Sequence, residues 1–215
     1  MSGRLREMRC ELAYLKNADG SVCFSQGATC IWASCSGPGD IHRARANDEK
    51  MVLDVSFRAN TGDNKFHPLN NIITSTLEKV INLQLFPHTT QVITLHGIQD
   101  DGSIGAAALN ATCFALLDNG LPFDTIFCGV TIVRINGELI IDPTAKQESQ
   151  SDAKILLAVC RNRTTSAPEI CASDTIGDLT IDELENAWLL AKQTALSIFE
   201  FYRVSLERKH STDFC

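Results

Sequence analysis

GIQDDGSIGAAALNATCFALLDNG, residues 97–120, is the stretch on which the fold turns. Asp100, Asp101 and Gly102 carry a turn signal, and Ser103 is a good helix cap. Behind it Ala106, Ala107, Leu109, Ala111, Cys113, Phe114 and Leu117 are apolar nearly all round. A helix with no polar face is buried on most of its sides, and its alanines let neighbouring elements come close. The N-terminus of such a helix, with free N–H groups behind a Gly and a Ser, is a natural anion pocket. Here, though, two carboxylates stand in front of it. They suit the helix dipole by ~0.3–1 kcal/mol each and repel a phosphate. Read from these residues alone, an ordinary capped helix outweighs an anion site.

Working outward, residues 91–96 alternate as a strand, and residues 69–85 form a helix. In that helix Ile72, Ile73, Leu77, Val80, Ile81 and Leu85 recur at three- and four-residue steps. Short alternating runs at 8–15, 21–25 and 28–36 predict three strands separated by the turn signals NADG and QG. GPGD at 37–40 then breaks the chain, residues 41–50 read as a polar loop, and 51–59 as another strand. Downstream, strands are expected at 126–135, 138–141, 154–160 and 169–173. The last helix opens on the capping box Thr180-Ile-Asp-Glu183. Leu184, Trp188, Ala191, Ala195, Ile198 and Tyr202 keep its apolar face, and a polar tail from about Arg203 is expected to fray. The order is four strands, helix, strand, helix, four strands, long helix. That predicts one α+β domain over residues 1–215, with two internal helices, a long C-terminal helix and mixed or antiparallel sheets rather than a doubly wound one.

At 44% hydrophobic and 21% charged over 215 residues, the composition is that of a soluble globule able to bury a substantial core. The net charge of −7 confines any nucleic-acid binding to a local patch. No apolar run is long enough to span a membrane, and MSGRLREMRCELAYL lacks the apolar segment of a signal peptide. Nine cysteines, an odd number, sit mostly inside apolar runs such as ATCIWASC, with no C-x-x-C. Free buried thiols in a reducing compartment are expected, with no metal site.

Two polar segments carry chemistry. In DPTAKQESQSD (142–152), Asp142, Glu148 and Asp152 are of the type that binds Mg²⁺ or works as general acid and base. A solvated loop is the commoner meaning of such a segment, and Lys146 and Lys154 partly neutralise it. Arg43, Arg45 and Lys50 share one polar loop, Arg58 and Lys65 bracket ANTGDN, and His42 and His67 lie nearby. Cations on loops suit a nucleic-acid backbone. No aromatic is interleaved with them, so a stacking platform is not evident. There is no P-loop, no G-x-S-x-G and no Cys–His motif.

The segments GSVCFSQGATCIWASCSGP (20–38), NNIITSTLEKVINLQLFP (70–87), VITLHGIQDDGSIGAAALNATCFALLDNGLPF (92–123) and GVTIVRINGELIIDPTAKQE (129–148), with the C-terminal helix, resemble the RNase PH family in order and spacing. Within it the chain is similar to the ring subunits of the RNA exosome. The resemblance implies an RNase PH fold (ribosomal protein S5 domain 2-like) of two related halves with a long closing helix. It also implies partnership with other RNase PH-like subunits in a six-membered ring around an RNA channel, or self-pairing as a homodimer.

Active relatives cleave RNA with inorganic phosphate, which they hold with two Arg and a Ser or Thr beside a pair of Asp near a metal. Carried onto this chain, the hydroxyl is Ser103, but the Arg after it is Ile104. The other Arg falls near Lys65, the first Asp near Glu148, and the second near Asp152 or Lys154. Each lost Arg–phosphate bond is worth on the order of 1.5–3 kcal/mol, and Lys65 replaces a fork with a point charge. The expectation is a structural ring subunit without phosphorolytic activity, metal or cofactor. It would bind single-stranded RNA through Arg43, Arg45, Lys50 and Lys65 in the nucleus, nucleolus and cytoplasm. The alternatives are an active nuclease, phosphate-dependent on RNA or metal-dependent on RNA or DNA (apoptotic DNA included), and a purely protein-binding role.

Overall fold

A computed structural model describes residues 5–40, 47–59 and 67–213. Strands β1 (Met8–Leu12), β2 (Gly20–Gln26), β3 (Thr29–Asp40), β4 (Val52–Ala59) and β5 (Thr89–Gln99) form one sheet in the order β1-β2-β3-β5-β4. Only the β4–β5 pair is parallel. Helix α1 (His67–Val80) makes the crossover between those two strands, as a parallel pair requires. Strands β6 (Phe127–Ile135), β7 (Glu138–Ile141), β8 (Ala153–Arg161) and β9 (Pro168–Gly177) form a second, wholly antiparallel sheet in the order β7-β6-β8-β9.

Helix α2 (Ile104–Asn119) lies between the two sheets, against β2 and β3 on one side and β6 and β8 on the other. Every residue from Ile104 to Leu116 is buried, which is why the opening stretch lacks a polar stripe. Close approach is enforced by sequence. A Cβ on Gly129 of β6 would stand 2.7 Å from the carbonyl oxygen of Ala106, so only glycine fits. Helix α4 (Ile181–Asp213) closes the second sheet. Its Tyr202 and Phe201 meet Phe114 of α2, which also contacts Phe24 of β2. Each such buried side chain contributes roughly 1.5–3 kcal/mol.

One polar residue sits at the centre of this apolar helix. The Asn110 carboxamide oxygen accepts from Gly129 N–H (2.8 Å) and from the Tyr202 hydroxyl (2.8 Å). Its Nδ2 donates to the Gln26 side chain (3.3 Å). These groups are therefore paired with one another, as buried polar atoms must be.

Four local expectations are corrected. GPGD does not end β3: a cis Gly37–Pro38 bond and a register shift between Ser36 and Gly39 carry the strand on to Asp40. Helix α1 stops at Val80, and residues 83–85 form a separate 3₁₀ turn whose N-cap, Asn82, accepts from Gln84 N–H. The segment 142–152 is not a plain loop but contains α3 (Ala145–Ser149), started by a Thr144/Gln147 capping box. Finally, α4 does not fray at Arg203. Glu200 and Glu207 hold Arg203 along the helix, and Lys209 reaches back to Asp118 of α2. The Thr180–Glu183 capping box forms as expected.

Candidate functional site

The turn before α2, residues 100–103, packs on the chain that leaves β7. Gly102 has φ +87°, and a Cβ there would stand 2.5 Å from Pro143 O. Glycine thus lets two loops touch. Thr29, at the tip of the β2–β3 hairpin, locks the turn by donating to Gly102 O (2.7 Å) and accepting from Asp101 N–H (3.0 Å). Ala145 N–H donates to Asp101 O (3.0 Å).

Ser103 sits at the helix N-cap with a left-handed backbone, and its hydroxyl makes no cap bond. The hydroxyl is buried and donates to Pro143 O (3.0 Å). Its N–H, the first orphan donor of α2, goes to Glu148 Oε1 (2.7 Å). The other Glu148 oxygen takes Lys154 Nζ at 2.7 Å. The helix N-terminus thus already holds an anion, the chain's own carboxylate, delivered by the short helix α3 and neutralised by a lysine at the start of β8.

The two acidic residues of the turn are accounted for locally. Asp100 Oδ1 accepts from Gly102 N–H (2.9 Å). Asp101 Oδ2 lies 3.6 Å from the guanidinium of Arg6. Arg6 also donates to the carbonyls of Asp101 (2.9 Å) and Gly102 (3.2 Å), and its Nη2 donates to Asp142 Oδ1 at 2.7 Å. Its backbone N–H completes the clamp on Asp142 Oδ2 (2.9 Å). Burial alone pushes the Asp142 carboxyl up. The hydrogen bonds from Arg6 and Gln26, with the Arg6 charge, outweigh that and hold it below the usual carboxylate range. Asp142 is therefore a buried carboxylate, held in the ionised form near neutrality by Arg6 and acting as an anchor for it.

The expected site residues separate accordingly. Ser103 and Glu148 come together. Lys154, not Asp152, completes the cluster: the Asp152 side chain is exposed and forms no ion pair or hydrogen bond among the described residues, while its backbone N–H binds Arg134 O. No carboxylate pair forms at 148–154, because β8 begins with Ala153 buried and its neighbour Lys154 turned to Glu148. Ile104 is buried in the core, its Cδ1 lying 3.4 Å from the place of a Cβ on Gly97. Lys50 pairs with Glu78 at 3.3 Å on the surface. Arg43, Arg45 and Lys65 lie outside the described residues. Among the described residues no group of three His, Cys, Asp or Glu is arranged to hold a metal, and no helix is long and apolar enough to cross a membrane. The eight described cysteines are free thiols. Burial pushes Cys113 up to about 12, so it acts as a neutral packing group.

Arg6 gave no sequence signal. It stands in a short charged stretch without periodicity, and its partner Asp142 is 136 positions away.

The model for domain 1 of the 3' exoribonuclease family (RNase PH) matches residues 4–122, and the model for its domain 2 matches residues 125–194. The chain belongs to the RNase PH family. It is 64% identical over 213 residues to the exosome complex component RRP46 homolog of Caenorhabditis elegans, covering 99% of each chain. The crystal structure of rice (Oryza sativa) Rrp46 superposes with a TM-score of 0.88 at 25% identity, over 95% of this chain and 96% of that one. That of C. elegans cell-death-related nuclease 5 gives 0.73 at 52% identity, over 98% and 100%. The two matched segments correspond to the two sheets. In this RNase PH fold α2, from the first segment, is the layer both sheets share, and its N-terminus with α3 marks where the segments meet.

Proposed function

We propose that this RNase PH chain is a structural ring subunit of an RNA exosome. It binds single-stranded RNA in RNA processing and degradation, and has little or no phosphorolytic activity of its own. Its likeness to exosome components supports the assembly. The observation that carries the catalytic half is Glu148. An incoming phosphate would have to displace a carboxylate already bonded to Ser103 N–H and Lys154, at a helix end whose Ser103 hydroxyl is spent on Pro143 O. Ile104 offers no replacement cation. The two cations that the structure brings to this helix end, Arg6 and Lys154, are already paired with Asp142 and Glu148. A structural role needs no cofactor or metal.

The partners on this reading are other RNase PH-like ring subunits and single-stranded RNA, with a homodimer as the other assembly. The chain works in the nucleus, nucleolus included, and in the cytoplasm. Native mass, measured alone and with candidate ring partners, separates ring from homodimer. A phosphate-dependent assay on short oligo(A) RNA tests the catalytic half: robust release of nucleoside diphosphates sinks it. For RNA binding, Arg43, Arg45, Lys50 and Lys65 are the proposed contacts. The triple substitution Arg43/Arg45/Lys65→Ala is expected to lower both affinity and its salt slope.

The likeness to cell-death-related nuclease 5 favours a second reading, an active nuclease acting on RNA or DNA. Cleavage that requires Mg²⁺ and proceeds without phosphate would select it.

A further inference from the structure

The five-stranded sheet covers α2 with one face only. Its other face is lined by the half-buried or exposed alternate residues of each strand. Strand register sets one row across it. Glu11 of β1, exposed at one end, stands opposite Cys23 of β2, Cys23 opposite Trp32 of β3, Trp32 opposite His96 of β5, and His96 opposite Arg58 of β4 at the other end. Tyr14, from the turn after β1, leans on Trp32 with ring centroids 5.3 Å apart and is itself 39% exposed. The adjoining row carries hydroxyls: Ser34, Thr94 and Ser56 lie opposite one another on the same three strands. His96 and Arg58 are exposed, and Arg58 forms no ion pair among the described residues. Large aliphatic side chains, which a protein-docking face would need at its centre, are absent from these two rows.

We infer that this open sheet face is a stacking surface for single-stranded RNA, with Trp32 and Tyr14 taking bases and Arg58 the backbone. Aromatics standing on a sheet, flanked by hydroxyls and a cation, are the chemistry by which sheets hold unpaired bases. Neighbouring strands lie about 4.8 Å apart, so Arg58 stands about 10 Å from Trp32, within reach of a phosphate next to a base stacked there. Its positive charge complements that phosphate, and His96 bridges the two. The aromatics that no linear reading could attach to the basic residues are brought to Arg58 by register alone. This inference rests on the proposal that the chain binds RNA, and it names residues other than Arg43, Arg45, Lys50 and Lys65.

The chain has two tryptophans, Trp32 and Trp188. In full-length Trp188→Phe protein, titration with a short oligo(A) RNA is expected to quench the remaining Trp32 fluorescence. Trp32→Ala is expected to weaken binding about 10-fold or more at an unchanged salt slope. Arg58→Ala is expected to lower the slope by about 0.7. Trp32→Phe, which keeps a ring and guards against misfolding of the alanine variant, loses less. If the wild type binds RNA while Trp32 fluorescence stays constant and both substitutions leave affinity and slope alone, the surface is wrong and the RNA-binding proposal survives. If the wild type binds no RNA at any salt, both fall. If Trp32→Ala spares RNA binding but dissolves an oligomer, the face belongs to a protein neighbour and the inference is overturned.

Discussion

Removing the Arg6 side chain tests how this protein anchors its N-terminal arm. In Arg6→Ala, Asp142 loses a 2.7 Å ion pair while its own side chain is only 2% exposed. Leaving one partner of a buried pair costs about 3–5 kcal/mol. Arg6 itself is 15% exposed, so water partly fills its place, and the lower end, about 3 kcal/mol, is expected. Against a total of roughly 5–15 kcal/mol this is a large fraction. The pH dependence follows from the direction of the Asp142 shift. In the wild type its carboxyl is held low, so its stabilisation is full above the unfolded value of about 3.9 and lost as pH falls through the folded one. Without Arg6, burial dominates and the carboxyl moves up. The penalty is then largest near neutrality and shrinks as acid protonates Asp142. Urea unfolding of wild type, Arg6→Ala, Asp142→Asn and the double variant, near pH 7 and again near pH 5, measures this. The double variant should be more stable at neutrality than the sum of the two single losses allows. A loss under about 1 kcal/mol for Arg6→Ala, the value of a surface pair, and equal at both pH values, would refute the buried-clamp argument.

Three further outcomes are expected. Asn110→Leu strands Gly129 N–H and the Tyr202 hydroxyl in the core and should cost about 2–4 kcal/mol in urea unfolding; Tyr202→Phe, which leaves Asn110 its other partners, should cost about 1 kcal/mol. Glu148→Ala frees Ser103 N–H and Lys154, so millimolar phosphate should raise its melting temperature and leave that of the wild type unchanged; a wild type that responds equally contradicts the self-occupied helix end. Thr180→Ala removes the hydroxyl half of the α4 capping box and should lower stability by about 1 kcal/mol, read as a shift of the urea midpoint.

Two helix starts were legible in the sequence. The all-round apolar run behind Ser103 and the capping box at Thr180 each mark a helix whose start the structure keeps. Boundaries failed where tertiary partners decide them. Asp118 holds Lys209, and with it the last turns of α4, from a position 91 residues away. The bulge that carries β3 through GPGD exists only because β5 lies beside it to pair with Asp40. The site was half legible. Ser103, Ile104 and Glu148 were found as separate positions, but the choice of Lys154 over Asp152 is made by the buried start of β8, which fixes which side chain faces α3. Arg6 was hidden because one arginine among several in a charged stretch without periodicity carries no pattern. Asn110 was hidden inside an apolar helix, where its worth depends on Gly129 and Tyr202 arriving from elsewhere.

Helix α2 has a consequence for how the molecule comes apart. It belongs to the first matched segment, yet it packs on β6 and β8 of the second sheet, and Asn110 ties it to β6 and α4 together. Neither sheet keeps its apolar face covered once that helix leaves. The two segments should therefore melt in a single cooperative transition, with the α2 amides among the last to exchange their hydrogens, since only global opening frees them. A cut between residues 122 and 125, where the two family segments divide, should leave fragments that hold native structure only when recombined.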